Sequence, residues 1–329
     1  MIDVIIPAYN SEKYLPACLE SLLESKTDDA RIILVDDGST DSTGAICDAF
    51  CAEHKNVLAV HRENGGSPAA RNTGVAAAGD QGENHWIWFV DSDDVVAPGA
   101  LDTLAKHAAS TDADALYFNL TLFDDGAEPE WTACENKLSG VIGSQEFLAG
   151  TYRFTYAHYL PGFLFRRDAL EHLATWRKQN EMAGLCDEGY SLLEDLVFAE
   201  EFMQDACRKV ELLPDALYGY RQLECSVSHT VNPKAADSAL RAMRYIDGFE
   251  VPGCDYLAKC RMQIALLFNA YRAAGQDATS AELRREIRHE IESRVRAVGL
   301  GQLTQGLLVR YVALKTGAGD LVLKMRMKR

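Results

Sequence analysis

Trp86-Ile87-Trp88-Phe89-Val90-Asp91-Ser92-Asp93-Asp94 carries the reading of the fold. The first five residues form a continuous apolar run of aromatic and branched side chains. Such a run reads as a strand buried on both faces of a parallel sheet. Asp91 and Asp93 then emerge together where that strand ends. In open α/β sheets the carboxyl edge is where ligands bind. Paired carboxylates there suit a hard cation, Mg2+ or Mn2+, of the kind that also holds substrate phosphates. Taken alone the pattern is weak, because the chain has 49 acidic residues and a turn capped by Asp side chains would read the same way.

Outward from this strand, βα units repeat. Ile2–Ile6 reads as a strand stopped by Pro7. Ser11 can cap a helix to about Ser25, with Leu15, Cys18, Leu19, Leu22 and Leu23 on one face. Arg31–Val35 is a second strand, and Asp41 can cap a helix bearing Ala45, Ile46, Ala49 and Phe50. Val57–His61 is a third strand. Ser67 can cap the next helix, with Pro68 at its first position, where a missing N–H costs nothing. A helix from Pro98 and a strand over Ala115–Leu122 follow. Repeated units of this length predict an α/β fold with a mostly parallel, doubly wound sheet flanked by helices.

From Trp131 to Arg221 the pattern is mixed, with helices near 144–150, 167–178 and 193–205. Beyond Asn232-Pro233, the strongest boundary signal, it reads as helices such as Asp255–Ala273 and Ser280–Val298. The expected organisation is a domain over 1–231, divided near residue 120, and a C-terminal helical region over 232–329.

The bulk numbers exclude several classes. Hydrophobic content of 47% and charged content of 25% over 329 residues describe an ordinary soluble protein. A net charge of −16 argues against nucleic acid as a partner. Residues 2–6 read as a structural strand rather than a secretory leader, and no apolar run reaches the roughly 20 residues of a membrane span. Nine cysteines without a C-x-x-C pair suggest reduced thiols of a cytoplasmic protein and no zinc site. Against the acidic background, Leu308 to Arg329 carries Arg310, Lys315, Lys324, Arg326, Lys328 and Arg329 with only Asp320 opposing. Interleaved with Leu and Val, this segment reads either as a solvated basic tail or as a peripheral anchor on an anionic membrane face.

Four short segments fall at the ends of successive predicted strands: Pro7-Ala8-Tyr9-Asn10, Asp36-Asp37-Gly38-Ser39-Thr40-Asp41, Asn64 to Asn72, and Asp91-Ser92-Asp93-Asp94. Each could be punctuation by itself, and four on one edge are harder to dismiss. In order, spacing and strand context they resemble the nucleotide-sugar-binding half of family 2 glycosyltransferases, the inverting enzymes of the GT-A fold. The match covers about residues 1–120.

The resemblance implies a nucleotide-diphospho-sugar donor, most often a UDP-sugar, and Mn2+ or Mg2+. By position, Pro7, Ala8 and Tyr9 would line the base pocket and Asp37 would accept from the base. A carboxylate there discriminates uracil from cytosine, which lacks the imide N–H. Asn64 and Arg71 would lie near base and ribose, with a salt bridge from Arg71 to Asp36 or Asp37 as the bland alternative. Asp91 and Ser92 would meet the donor, and Asp91 and Asp93 the metal. Glu194-Asp195 resembles the acidic pair at the start of a helix in this family, with Asp195 the general base. Without the resemblance it would read as acidic residues favoured in a helix's first turn. Tyr218-Gly219-Tyr220-Arg221 and the Ser226-to-His229 segment also look like the family. They offer Arg221 to the diphosphate and His229 to metal or phosphate. Pro161-Gly162-Phe163 replaces an aromatic often seen there, which leaves the acceptor side open. The implied role is sugar addition to a glycan or lipid-linked glycan in surface polysaccharide synthesis, at the inner face of the cytoplasmic membrane.

Two rival readings remain. Asp91 and Asp93 also resemble the nucleophile and acid/base of haloacid-dehalogenase-like phosphatases, although that signature normally opens its domain. A nucleotide-sugar-binding subunit without catalysis would keep the same donor motifs.

Overall fold

The structure is a computed structural model. It describes residues 1–25, 27, 29–79, 82, 84–131, 139–223, 231–251, 255–275 and 278–316. The chain divides into two compact units. The first comprises Met1–Phe147, Ala157–Gly189 and Glu194–Leu223, and the second Leu148–Tyr156, Tyr190–Leu193 and Glu224–Arg329.

Among the described residues the first unit is built on a nine-stranded sheet, ordered β3-β2-β1-β4-β8-β6-β9-β5 with β7 beside β9. The strands are β1 (Ile2–Ala8), β2 (Ala30–Asp36), β3 (Val57–His61), β4 (Trp86–Phe89), β5 (Val95–Val96), β6 (Ala115–Asp124), β7 (Gly140–Gly143), β8 (Phe163–Arg166) and β9 (Lys209–Gln222). Its helices are α1 (Leu15–Leu23), α2 (Thr43–Glu53), α3 (Ser67–Ala78), α4 (Ala100–Ala108), α6 (Arg167–Gln179) and α7 (Glu194–Glu201), while α5 (Ser144–Tyr152) crosses the chain boundary between the units at Leu148. β1 pairs in parallel with β2 and β4, and β2 with β3. β8 runs antiparallel between β4 and β6, which restores the common direction in β6, and β9 is parallel to β6. Six of the nine strands therefore point one way, as the mostly parallel reading expects.

Both faces of the central strands are buried. Val4, Ile6, Leu34, Trp88 and Leu164 pack in one cluster with Leu15, Leu19 and Leu22 of α1 and Leu101 and Leu104 of α4. Trp88 meets Phe118 edge-on, with ring centroids 5.6 Å apart. On the other face α3 presses closely on the sheet: a Cβ at Gly74 would fall 2.3 Å from Cγ2 of Ile5.

Three local expectations are corrected by tertiary contacts. Pro7 does not stop β1, which continues through it to Ala8. Ile5 O accepts from Val90 N, so residues 5 and 7 face β4; β4 pairs only as far as Ile5, and Pro7 removes no ladder bond. Ser11 does not cap α1, which begins at Leu15; its hydroxyl pairs with the Ser92 hydroxyl instead, at 2.7 Å. Ser67 is the first residue of α3, after an N-cap at Gly66 with φ 87° that no side chain there needs to share. Asp41 does serve the start of α2, where its carboxylate accepts from Thr43 N at 3.0 Å.

The second unit is helical: α8 (Pro233–Ile246), α9 (Tyr256–Ala273), α10 (Ala281–Val298) and α11 (Gln305–Thr316). Asn232 caps α8 through Ala235 N, and Asp255 caps α9 through Leu257 N. Arg294 reaches from α10 to Asp247 and Gln263, so polar bonds as well as apolar packing join these helices. Among the described residues no helix is long and apolar enough to cross a membrane. Arg310, one of the basic tail's cations, is buried, and residues 317–329 lie outside the described residues.

Candidate active site

The order β3-β2-β1-β4 makes the gap between β1 and β4 a topological switch point, because the chain steps outward from β1 to β3 and then crosses to the other side. Loops diverge at such a point and leave a crevice at the carboxyl ends. Tyr9, 51% exposed, leaves β1 there, while Pro7 and Ala8 belong to the buried strand. Asp91 leaves β4 at the same edge.

The loops are stapled to one another. Asn10 Oδ1 accepts from Thr40 N at 2.8 Å, Ser39 Oγ accepts from Asn10 N at 3.1 Å, and Thr43 Oγ1 accepts from Ser11 N at 2.7 Å. Gly38, at φ 73°, brings the loop after β2 against the loop after β3; a Cβ there would stand 2.7 Å from Asn64 N.

Asp37 and Asn64 lie side by side. Asp37 is 2% exposed. Its carboxylate accepts from the Arg62 guanidinium, from Gly65 N at 3.1 Å and from Gly66 N at 2.7 Å, while Asn64 Nδ2 donates to Asp37 O at 3.0 Å. Asp37 thus holds the Asn64–Gly66 turn in place. Its neighbour Asp36 turns elsewhere, accepting from Ser39 N and contacting His61 Nδ1 at 2.9 Å.

Arg71 joins the donor-side motif to the second acidic pair. Nη2 donates to Asp91 Oδ1 at 3.0 Å, and Nη1 lies 3.4 Å from Asp195 and 3.8 Å from Glu194. Its carboxylate partners are these three, not Asp36 or Asp37. Arg71 is 3% exposed; burial alone would disfavour its charge, but the surrounding carboxylates hold it firmly protonated.

Asp195 opens α7. Its Oδ2 accepts from Leu160 N at 3.2 Å. Burial pushes its carboxyl up to about 7; Arg71 pulls against that shift, and Glu194 and Asp91 add to it. Burial also raises Asp93 to about 6, with help from the charge of Asp91. The Asp91–Asp93 pair therefore concentrates negative charge that a divalent cation would relieve, and two carboxylates are a fitting partial donor set for one. Among the described residues no group of three or more His, Cys, Asp or Glu side chains is placed to hold a metal. His229, expected as a further ligand, lies outside the described residues.

Arg221 braces this loop. Its Nε donates to Asp93 O at 2.8 Å, and its guanidinium stands 4.6 Å from the Phe123 ring centroid and 3.6 Å from Asp125. Ser92, the middle residue of the motif, is held by Ser11.

Sequence reasoning missed several contributors. Asn72 accepts from Leu185 N at 3.0 Å and Cys186 N at 2.7 Å, and donates to Cys186 O at 2.9 Å and Glu188 at 3.0 Å. It fastens α3, one residue after Arg71, to the loop over 184–188. Arg177 grips the same loop through Gly184 O at 2.9 Å and Asp187 at 3.0 Å, and is itself buried against Glu201. Tyr159 and Tyr220 stack with centroids 5.7 Å apart, and Tyr159 directly precedes the Leu160 that serves Asp195. The two-residue spacing of Tyr218 and Tyr220 on a strand was the one legible signal that both share a face.

Residues 3–174, more than half of the chain, match the family described as Glycosyl transferase family 2. The chain belongs to glycosyltransferase family 2. This family 2 enzyme is 33% identical over 240 residues to Glycosyltransferase GlyG of Streptococcus pneumoniae, covering 70% of this chain and 73% of that one. It is 28% identical over 245 residues to the uncharacterized glycosyltransferase EpsJ of Bacillus subtilis, covering 73% of this chain and 67% of that one. In fold it resembles S. aureus TarS 1-349 in complex with UDP-GlcNAc, with a TM-score of 0.64 at 19% identity, over 98% of this chain and 89% of that chain. It also resembles the mannosyltransferase PcManGT of Pyrobaculum calidifontis in complex with GDP-Man and Mn2+, with a TM-score of 0.53 at 16% identity, over 98% of this chain and 84% of that chain. The sheet is thus the GT-A arrangement the motifs implied. Family membership leaves the phosphatase reading of Asp91 and Asp93 without support. Asp195 falls outside the matched segment and rests on geometry.

Proposed function

We propose that this glycosyltransferase moves a sugar from a UDP-sugar to a glycan or lipid-linked glycan acceptor, with inversion at the anomeric carbon, in the synthesis of a surface polysaccharide. The observation that carries the reading is Asp195: a carboxylate raised to about 7 that shares the Arg71 guanidinium with Asp91. A general base works best when its pKa lies near the working pH. Asp195 would take the acceptor hydroxyl proton as the new carbon–oxygen bond forms and the bond to the nucleoside diphosphate breaks. One carboxylate suffices, with no covalent enzyme intermediate.

The donor would lie along the strand edge. Its base would meet Pro7, Ala8, Tyr9, Asn64 and the Asp37 turn, and its ribose would meet Arg71, Asp91 and Ser92. Arg221 would stand beside the diphosphate. The carboxylates of Asp91 and Asp93, with His229 as a further donor, would hold Mn2+ or Mg2+. When bound, that cation supplies neutralisation of the charge on the departing diphosphate. The UDP-GlcNAc complex of TarS supports UDP, and the Mn2+ complex of PcManGT supports the metal. A poly(ribitol-phosphate) beta-glucosyltransferase and a minor teichoic acid biosynthesis protein among the relatives support a surface-polymer acceptor. Residues 1–231 would form the catalytic domain. Residues 308–329 would add peripheral contact with the inner face of the cytoplasmic membrane.

The test is calorimetric titration of UDP, GDP, CDP and ADP with and without Mn2+, followed by Asp195→Asn. Metal-strengthened binding of UDP alone and a turnover loss of about 10^2–10^4-fold at unchanged UDP affinity are expected. Tight GDP binding would reassign the donor. Unimpaired transfer by Asp195→Asn would remove the assigned base.

A further inference from the structure

We propose that Tyr218 of β9 and Asp94 at the end of the motif are positioning residues, a bracket that ties the Asp91-Ser92-Asp93 turn to β9 in the geometry donor binding requires. The Tyr218 hydroxyl accepts from Asp91 N at 3.1 Å and donates to Asp94 Oδ2 at 2.6 Å. Asp94 Oδ1 accepts from Arg221 N at 2.7 Å, and Arg221 Nε returns to Asp93 O at 2.8 Å. A further turn bond runs from Asp94 N to Asp91 O at 3.2 Å. Both motif carboxylates are therefore fixed through their backbones by residues more than 120 positions away.

Tyr218 is 0% and Asp94 1% exposed, so neither is placed to touch a ligand from solvent. The Tyr218 ring is locked against Trp88, with centroids 6.4 Å apart. A buried phenol and a buried carboxylate persist only when paired, and a fully paired polar network selects one backbone geometry. Sites that grip a cation and a phosphate tolerate displacements of only about 0.5 Å, which gives such a bracket a purpose. The third acidic residue of the motif is then not a ligand. Its two oxygens serve two different donors, which is also why Asn, with a single carbonyl oxygen, would not replace it.

The purpose of the bracket rests on the reading of Asp91 and Asp93 as donor-side carboxylates, and the experiment separates the two. Hydrogen exchange of the segment over 90–94 is measured in the wild type, Tyr218→Phe and Asp94→Asn, together with UDP affinity in the presence of Mn2+. Exchange there should quicken about tenfold or more in both variants while the helices of the first unit keep their protection. UDP affinity with Mn2+ should fall about tenfold in each variant, and the double variant should lose little more than either alone. Unchanged exchange in Tyr218→Phe overturns the bracket. Lost Mn2+ dependence in Asp94→Asn with none lost in Tyr218→Phe would make Asp94 a ligand and also overturn it. A wild type that binds no nucleotide overturns the donor reading and the bracket's purpose, while the exchange result still decides whether the bracket holds the turn.

Discussion

Arg71 Nη1 lies 3.4 Å from Asp195 Oδ1, across 124 residues of sequence. One buried cation thereby favours the ionised form of a carboxylate on α7 while donating to Asp91 at the end of β4. Activity that depends on ionised Asp195 should rise through an acid limb near pH 7, where its carboxyl titrates. Removing the cation in Arg71→Met should move that limb to higher pH, so that kcat falls more at pH 6 than at pH 8. Arg71→Lys should restore part of the shift. A pH series of kcat for the three proteins reads this directly, and coincident limbs would refute it.

Asn72 makes four hydrogen bonds to the 184–188 loop. Asn72→Ala strands two backbone N–H groups and a carbonyl. At about 1–3 kcal/mol for each group left unsatisfied, the expected loss is roughly 2–4 kcal/mol after water relieves part of it. Urea denaturation gives the value, and a midpoint unchanged from wild type would count against the clamp.

Asp3 is buried at 0% exposure between Arg31, with two contacts of 2.8 Å, and His85, at 2.8 Å. Burial by itself would raise its carboxyl, but the hydrogen bonds from His85 and Arg31 win and hold it below its ordinary 3.8. The folded value is depressed, so this group's stabilisation is complete above 3.8 and is lost as pH falls through the lower folded value. Asp3→Asn should cost about 3 kcal/mol at pH 7. The gap from wild type should narrow below the folded value. Unfolding curves at pH 7, 4 and 2 check the trend; a gap independent of pH would assign the loss to packing.

Gly74→Ala tests the fit of α3 on the sheet. Alanine gains up to about 1 kcal/mol of helix propensity over glycine. The added methyl would sit 2.3 Å from Ile5 Cγ2 and 3.3 Å from Val35 Cγ2, far inside contact. Overpacking of this kind costs about 1–3 kcal/mol, so net destabilisation is expected and a raised melting temperature would contradict it.

Much of the architecture was legible because it depends on local patterns. Val57–His61 has the same bounds in the sequence reading and in the structure, the Asn232-Pro233 boundary falls at the start of α8, and the helix read from Asp255 is α9, one residue later. The strand before Asp91 announced itself by an apolar run that only a two-sided core tolerates. The four motif segments were legible for the same reason, since each follows the end of a recognisable strand.

Local pattern could not supply the company that each side chain keeps. Ser11 has the sequence of a helix cap, yet its hydroxyl is claimed by Ser92 from another loop. Pro7 reads as a strand stop, and only the early end of β4 makes it harmless inside β1. Asp94 reads as one more carboxylate of an acidic motif until Tyr218 and Arg221 close on it from β9. The sequence by itself determined the repeating strand–helix units of the first 120 residues, the later helices and the family, because periodicity and motif spacing are properties of neighbours along the chain. Only the tertiary structure decided that β1 lies beside β4 and that Arg71 stands between Asp91 and Asp195. Those placements arise from strand pairings and buried charge contacts between distant residues, whose energies have no local signature.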